Sequence, residues 1–158
     1  MNKGAVFSDD KKYRYGLTRQ WDETKPYVCF IGLNPSTADE EVDDPTIRKC
    51  IKFAKSWGYG GIYMVNLFAY RATDPKEMLA QEDPFGPDND TWVEYFAGKA
   101  DKVIAAWGND GNYWGASIDM KVLFHQLKKS LYCLKLNKTK EPAHPLYLKD
   151  ELKPKKFV

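Results

Sequence analysis

The chain has 158 residues, 43% hydrophobic and 15% aromatic, with a formal net charge of +2. That length suits one domain over residues 1–158 with a sizeable core, and the small net charge supplies no global basic field of the kind that announces nucleic acid. No apolar run is long enough to span a bilayer, and the opening MNKGAVFSDDKKYRY lacks the apolar stretch of a signal peptide, so a cytoplasmic protein with no membrane association is expected.

In chain order, residues 13–21 (YRYGLTRQW) read as an extended segment or edge strand. Val28, Cys29, Phe30 and Ile31 have the character of a strand buried on both faces, covering about 27–33. It breaks abruptly into Gly-Leu-Asn-Pro-Ser-Thr, placing the polar side chains of Asn34, Ser36 and Thr37 just past its carboxyl end. Asp44-Pro45 then opens a helix, as N-cap and first helical residue, with Ile47, Cys50, Ile51, Ala54 and Trp57 at helical spacing before Gly58, Gly60 and Gly61. IYMVNLF, 62–68, is a second buried strand, and Asp74-Pro75 repeats the helix-opening signal for a short helix. DPFGPDND, 83–90, is a turn-rich loop before a third helix that places Trp92, Tyr95 and Phe96 on one face. KVIAAWG, 102–108, is a third strand, a helix follows at about 117–129, and LYCL, 131–134, is a fourth strand. Strands alternating with helices predict an α/β fold: three α/β/α layers around a mainly parallel central sheet.

In an open sheet of that kind ligands bind at the carboxyl ends of the strands. Three strands end there in polar groups: Asn34-Pro35-Ser36-Thr37, then Asn66 running into Phe68 and Arg71, then Trp107-Gly108-Asn109. Asn66 interrupts an apolar strand, so its amide must bond either to backbone or to something that arrives. His144, between Pro142 and Pro145, belongs to no periodic segment and is a candidate hydrogen-bond donor or acid, whereas His125 lies mid-helix. The run Asp39, Glu40, Glu41, Asp43, Asp44 reads as capping and a solvated loop, or as carboxylates (Asp43, Asp44) that orient water or hold Mg²⁺. Seven lysines between Lys135 and Val158, against Glu141, Asp150 and Glu151, form a solvated tail or a phosphate-tracking edge. Cys29, Cys50 and Cys133 suit reduced, buried thiols. There is no GxGxxG, P-loop or GxSxG, and no histidine or cysteine accompanies His144 at zinc-ligand spacing; no cofactor is expected. Ser36 has no partner base close in sequence, although folding could bring His144 to it.

The string from LNPSTADEEVDD through MVNLFAYRATDP, followed by GPDND, AWG and HPLYL, resembles the bacterial and phage family called domain of unknown function 1643, over nearly the whole chain. The same motifs, in the same order, distantly resemble those of the uracil-DNA glycosylase superfamily. GLNPS at 32–36 is similar to the GINPG motif of the mismatch-specific branch, and MVNLFAYR at 64–71 to the strand whose Asn reads the flipped base. HPLYL at 144–148 is similar to the loop whose His contacts the base oxygen. That resemblance implies hydrolysis of the N-glycosidic bond of a modified or mispaired base, without metal, with DNA or a nucleotide as partner. Asn34 would hold water, Asn66 would recognise the base edge and His144 would stabilise the leaving base. Gly32, Leu33, Pro35, Ser36, Thr37, Arg71 and Asn109 would complete the pocket. Phe68 or Trp107 would supply the stacking ring, and Leu146 or Leu148 the wedge into the stack. Asn34, where the uracil-specific branch carries an acid, implies a weak or selective enzyme. Two rival expectations share the pocket: non-catalytic binding of a nucleotide or modified base, and metal-dependent hydrolysis of free nucleotides through Asp43 and Asp44.

Overall fold

A computed structural model describes all of residues 1–158. Seven strands form one sheet in the order β1-β2-β4-β3-β5-β6-β7. They are β1 (Asn2–Phe7), β2 (Arg14–Gln20), β3 (Tyr27–Gly32), β4 (Gly61–Asn66), β5 (Lys102–Ala105), β6 (Leu131–Cys133) and β7 (Lys155–Lys156). The expected mainly parallel sheet is corrected to a mixed one. The inner strands β4-β3-β5-β6 run parallel, but β1, β2 and β7 add antiparallel pairs at both sides. The segment read as an edge strand at 13–21 is β2, which lies inside the sheet because β1 folds onto it as a hairpin. The lysine-rich tail supplies β7, so Lys155 and Lys156 form a charged edge strand, which blunts the sheet edge.

Alternation along the strands builds the two cores. Val28, Phe30, Ile62, Met64 and Ile104 face one side, where Ile47, Cys50, Phe53 and Ala54 of α1 (Pro45–Ser56) pack. Cys29, Ile31, Tyr63, Val65 and Val103 face the other, against Val93, Phe96 and Ala97 of α3 (Asn89–Lys99) and Met120 and Phe124 of α4 (Ala116–Leu127). A period of two in every inner strand therefore fixes helices on both faces. The α3 face differs from the expected one: Phe96 is buried, but Tyr95 is 49% exposed, and Val93 and Ala97 complete the packed stripe. The C-terminal segment closes the α1 layer, with Leu148 and Leu152 packed there and the Trp57 indole donating to the Leu152 carbonyl at 2.9 Å. All three cysteines are free and buried, and no helix is long and apolar enough to cross a membrane.

Both Asp-Pro helix starts are as read. Asp44 accepts from the Ile47 N–H with Pro45 in the first turn of α1, and Asp74 accepts from the Lys76 N–H at the start of α2 (Pro75–Leu79). The inner strands end short of the expected bounds, β3 and β6 by one residue, β4 at Asn66 and β5 at Ala105. Beyond those points the chain continues as braced loops. Leu67 N–H donates to the Gly32 carbonyl, Phe68 N–H to Leu33 and Ala72 N–H to Pro35, at 2.9, 2.9 and 3.0 Å. The GLNPS turn is thus tied to the segment that follows Asn66.

Candidate functional site

A cleft of about 570 Å³ opens at the carboxyl ends of β3, β4 and β5, in the size range of small-molecule sites. Gly32, Leu33, Asn34, Pro35 and Ser36 form one wall, and Asn66 lies on the floor. Trp107, Gly108 and Asn109 form a second wall, and His144 and Leu146 arrive from the C-terminal loop. Three parallel strands and one distant loop therefore deliver their polar ends to one place.

Asn66 is 2% exposed, and its Nδ2 makes no hydrogen bond within the protein. Its backbone carbonyl is satisfied separately, by the buried Asn89 amide at 2.9 Å. The side chain fits because position 32 is glycine: a Cβ there would sit 2.7 Å from Asn66 Oδ1 and 2.8 Å from Met64 Cε. A sealed, unpaired amide donor costs about 1–3 kcal/mol, so the floor of the cleft carries unspent hydrogen-bonding capacity.

Asn34 is held differently. Its Nδ2 donates to the Ala72 carbonyl at 2.8 Å and to the Pro35 carbonyl at 3.1 Å. Both amide hydrogens are thereby committed to the loop, and only Oδ1 remains, as an acceptor. His144 accepts the Leu146 N–H at Nδ1, 3.2 Å, which leaves Nε2 as the proton-bearing nitrogen of the neutral ring. Its side chain is exposed on the whole, yet desolvation by the surrounding wall holds its pKa below the usual histidine value, with Asp44 pulling the other way. The loop is anchored by Gly108, whose N–H donates to the Pro142 carbonyl at 2.9 Å and whose φ of 77° suits glycine.

Four residues predicted for the base pocket lie outside the cleft lining. Thr37 is exposed beyond it. Phe68 is fully buried and stacks on Phe85 with ring centroids 4.7 Å apart, so it is unavailable to a base. Arg71 lies over the Phe7 ring and donates to the Lys11 carbonyl. Leu148 packs against the α1 core, leaving Leu146 as the apolar residue at the rim. Trp107 does line the cleft, and its indole donates to the buried Glu141 carboxylate at 3.4 Å.

The carboxylates of the metal alternative are separated. Asp43 is bound to Arg19 at 2.8 Å and is not in the lining, while Asp44 lines the cleft as the α1 N-cap. No group of three His, Cys, Asp or Glu side chains converges anywhere. Asp39 accepts from the Glu41 and Val42 N–H groups, so the acidic run folds its own loop.

Sequence reasoning missed Arg14, Thr46 and Asp110, which line the same cleft. Arg14 is 2% exposed, and its one side-chain hydrogen bond runs from Nη1 to the Ala38 carbonyl at 3.0 Å. Burial pulls its pKa down to about 10, against an opposing pull from Asp44. The available signal was a charge in a strand, flanked by Tyr13 and Tyr15.

The family model described as Protein of unknown function (DUF1643) matches residues 14–146. The chain belongs to that family. The match begins at Arg14 and ends at Leu146, so it spans every residue of the cleft lining. No curated protein and no solved structure matches the chain.

Proposed function

We propose that the cleft binds a nucleobase and that the protein is a uracil-DNA-glycosylase-like hydrolase of the N-glycosidic bond of a modified or mispaired base. The observation that carries this reading is the buried, unpartnered Asn66 amide in one cleft with Asn34 and His144. An amide offers a donor and an acceptor together, which matches the edge of a base. The motif order resembling the uracil-DNA glycosylase superfamily supports the same assignment.

The chemistry follows from the atoms left free. Cleavage builds positive charge on the sugar and negative charge on the departing base. Asn34 Oδ1 accepts from a water and directs its oxygen at the sugar. His144 Nε2–H donates to the base oxygen on which charge develops, and Asn66 Nδ2 donates to the base edge. Water adds to the anomeric carbon as the glycosidic bond breaks, and its proton leaves to solvent or to the base. Trp107 is the cleft-lining ring available to lie against the base.

Non-catalytic binding of a nucleotide is the second reading. It is favoured by the neutral Asn34, whose amide is spent on the loop. Release of free base from oligonucleotides bearing uracil, mismatched, damaged and hypermodified bases separates the two. The glycosylase reading predicts release that falls about 10²-fold or more in His144→Ala. No release from any substrate, with a bound nucleotide recovered intact, leaves the binding reading.

A further inference from the structure

Arg14 lies in the cleft with half of its guanidinium unused. Nη1 is bonded to the Ala38 carbonyl, whereas Nε is sealed from solvent with no partner and Nη2 makes no hydrogen bond. Nε–H and the adjacent Nη2–H point the same way and form one edge of the fork, the edge that receives two oxygens of one anion. No carboxylate lies within ion-pair distance of Arg14, although Arg19 on the same strand has Asp43 at 2.8 Å. Asp44 acts on Arg14 only from further away, and its Oδ1 is committed to the Ile47 N–H. Arg14, 2% exposed, lines the cleft, as do the hydroxyl-bearing Ser36 and Thr46.

We propose that the Nε–Nη2 edge of Arg14 holds a phosphate of the ligand, Nη2 making the first contact and Nε being uncovered as the phosphate seats, so the cleft takes a phosphorylated nucleotide unit rather than a free base or nucleoside. This rests on the reading of the cleft as a nucleobase site and names the second half of its ligand. A buried guanidinium left without a counter-ion is costly, and an arriving phosphate compensates it with two charge-assisted bonds. Two sources present this group: the terminal phosphate of a free nucleotide and the diester of a strand.

Calorimetric titration of the full-length protein tests the inference. The probes are inorganic phosphate, the four deoxynucleosides, their 5′-monophosphates and single-stranded trinucleotides. Each monophosphate or trinucleotide that binds is expected to bind at least tenfold more tightly than the matching nucleoside. That advantage should vanish in Arg14→Met and be partly kept in Arg14→Lys, which retains the charge but not the fork. If Arg14→Met fails to fold, Arg14→Lys gives the same reading through its loss of affinity. Tighter binding of the trinucleotides identifies a strand diester, and tighter binding of the monophosphates a free nucleotide. Equal affinity for nucleosides and phosphorylated probes, equal affinities in parent and variants, or no phosphate-bearing probe bound by the parent overturns the inference. Arg14-dependent phosphate binding without base release removes the glycosylase activity and leaves this assignment standing.

Discussion

Strand β2 carries two buried arginines five residues apart, and their surroundings differ. Arg19 is 0% exposed and fully engaged: Asp43 takes Nε at 2.8 Å, and the carbonyls of Gly4, Thr18 and Asp39 accept from its terminal nitrogens. Arg14 is 2% exposed, has one carbonyl partner, and leaves Nε bare. The first arrangement folds a loop, pinning the acidic run to the sheet. The second retains a desolvated charge that the protein does not use, in the same cleft as an equally unpaired Asn66 amide. Selection for stability alone removes such groups, because an apolar residue of similar size serves better. Two of the three unpaired buried side-chain atoms, Arg14 Nε and Asn66 Nδ2, belong to residues of one cleft, as the proposed ligand site requires, and the third is Asn89 Oδ1 outside it.

The contrast can be broken most forcefully at Arg19. Arg19→Met strands the Asp43 carboxylate and releases three carbonyls, and urea unfolding should show a loss of about 3 kcal/mol. Asn34→Asp comes next. The motif resemblance suggests that an acid at this position raises activity, but the geometry predicts otherwise. Both amide hydrogens of Asn34 bind carbonyls, and a carboxylate would face those oxygens without a donor. Denaturation should show a loss of about 1–3 kcal/mol, with no gain in base release. A variant as stable as the parent would show that the Asn34 amide does not brace the loop.

The smallest effect concerns pH. The folded pKa of His144 lies below its unfolded value of 6.5, so the folded chain binds fewer protons as the pH drops through that region. Its contribution is intact above 6.5 and is lost as pH falls from there toward the folded pKa. Protonation also places a hydrogen on Nδ1 and displaces the Leu146 N–H. A shallow loss of stability on acidification, flattened in His144→Ala, is the expected result. Because the side chain is exposed, solvent screening keeps the slope small.

The inner strands and both Asp-Pro helix starts were legible because period-two apolar runs and N-caps are local signals. Asn34, Asn66 and His144 also stood out as candidates: Asn34 follows an apolar run, Asn66 interrupts one, and His144 lies between prolines outside any periodic segment. The mixed character of the sheet was not legible. It depends on the antiparallel pairing of β2 with β4, and on β1 and β7, whose sequences NKGAVF and KK carry no apolar alternation. Phe68 misled for a related reason: following Asn66 in an apolar run, it looked like part of the site, but the chain turns after β4 and sends its ring into the core against Phe85. Arg14 escaped notice because burial of a charge is decided by what packs over it. Here that includes the loop carrying Ala38, which lies 24 residues further along the chain.

Under the proposed function, the unpaired groups of the cleft serve a ligand rather than the fold. Urea unfolding of Arg14→Met without ligand, beside Arg19→Met, tests this most directly. Removing Arg14 deletes one carbonyl bond and one uncompensated buried charge, so its unfolding free energy should fall within about 1 kcal/mol of the parent or above it. A loss as large as that of Arg19→Met would mean that Arg14 holds the fold together, and would contradict the account.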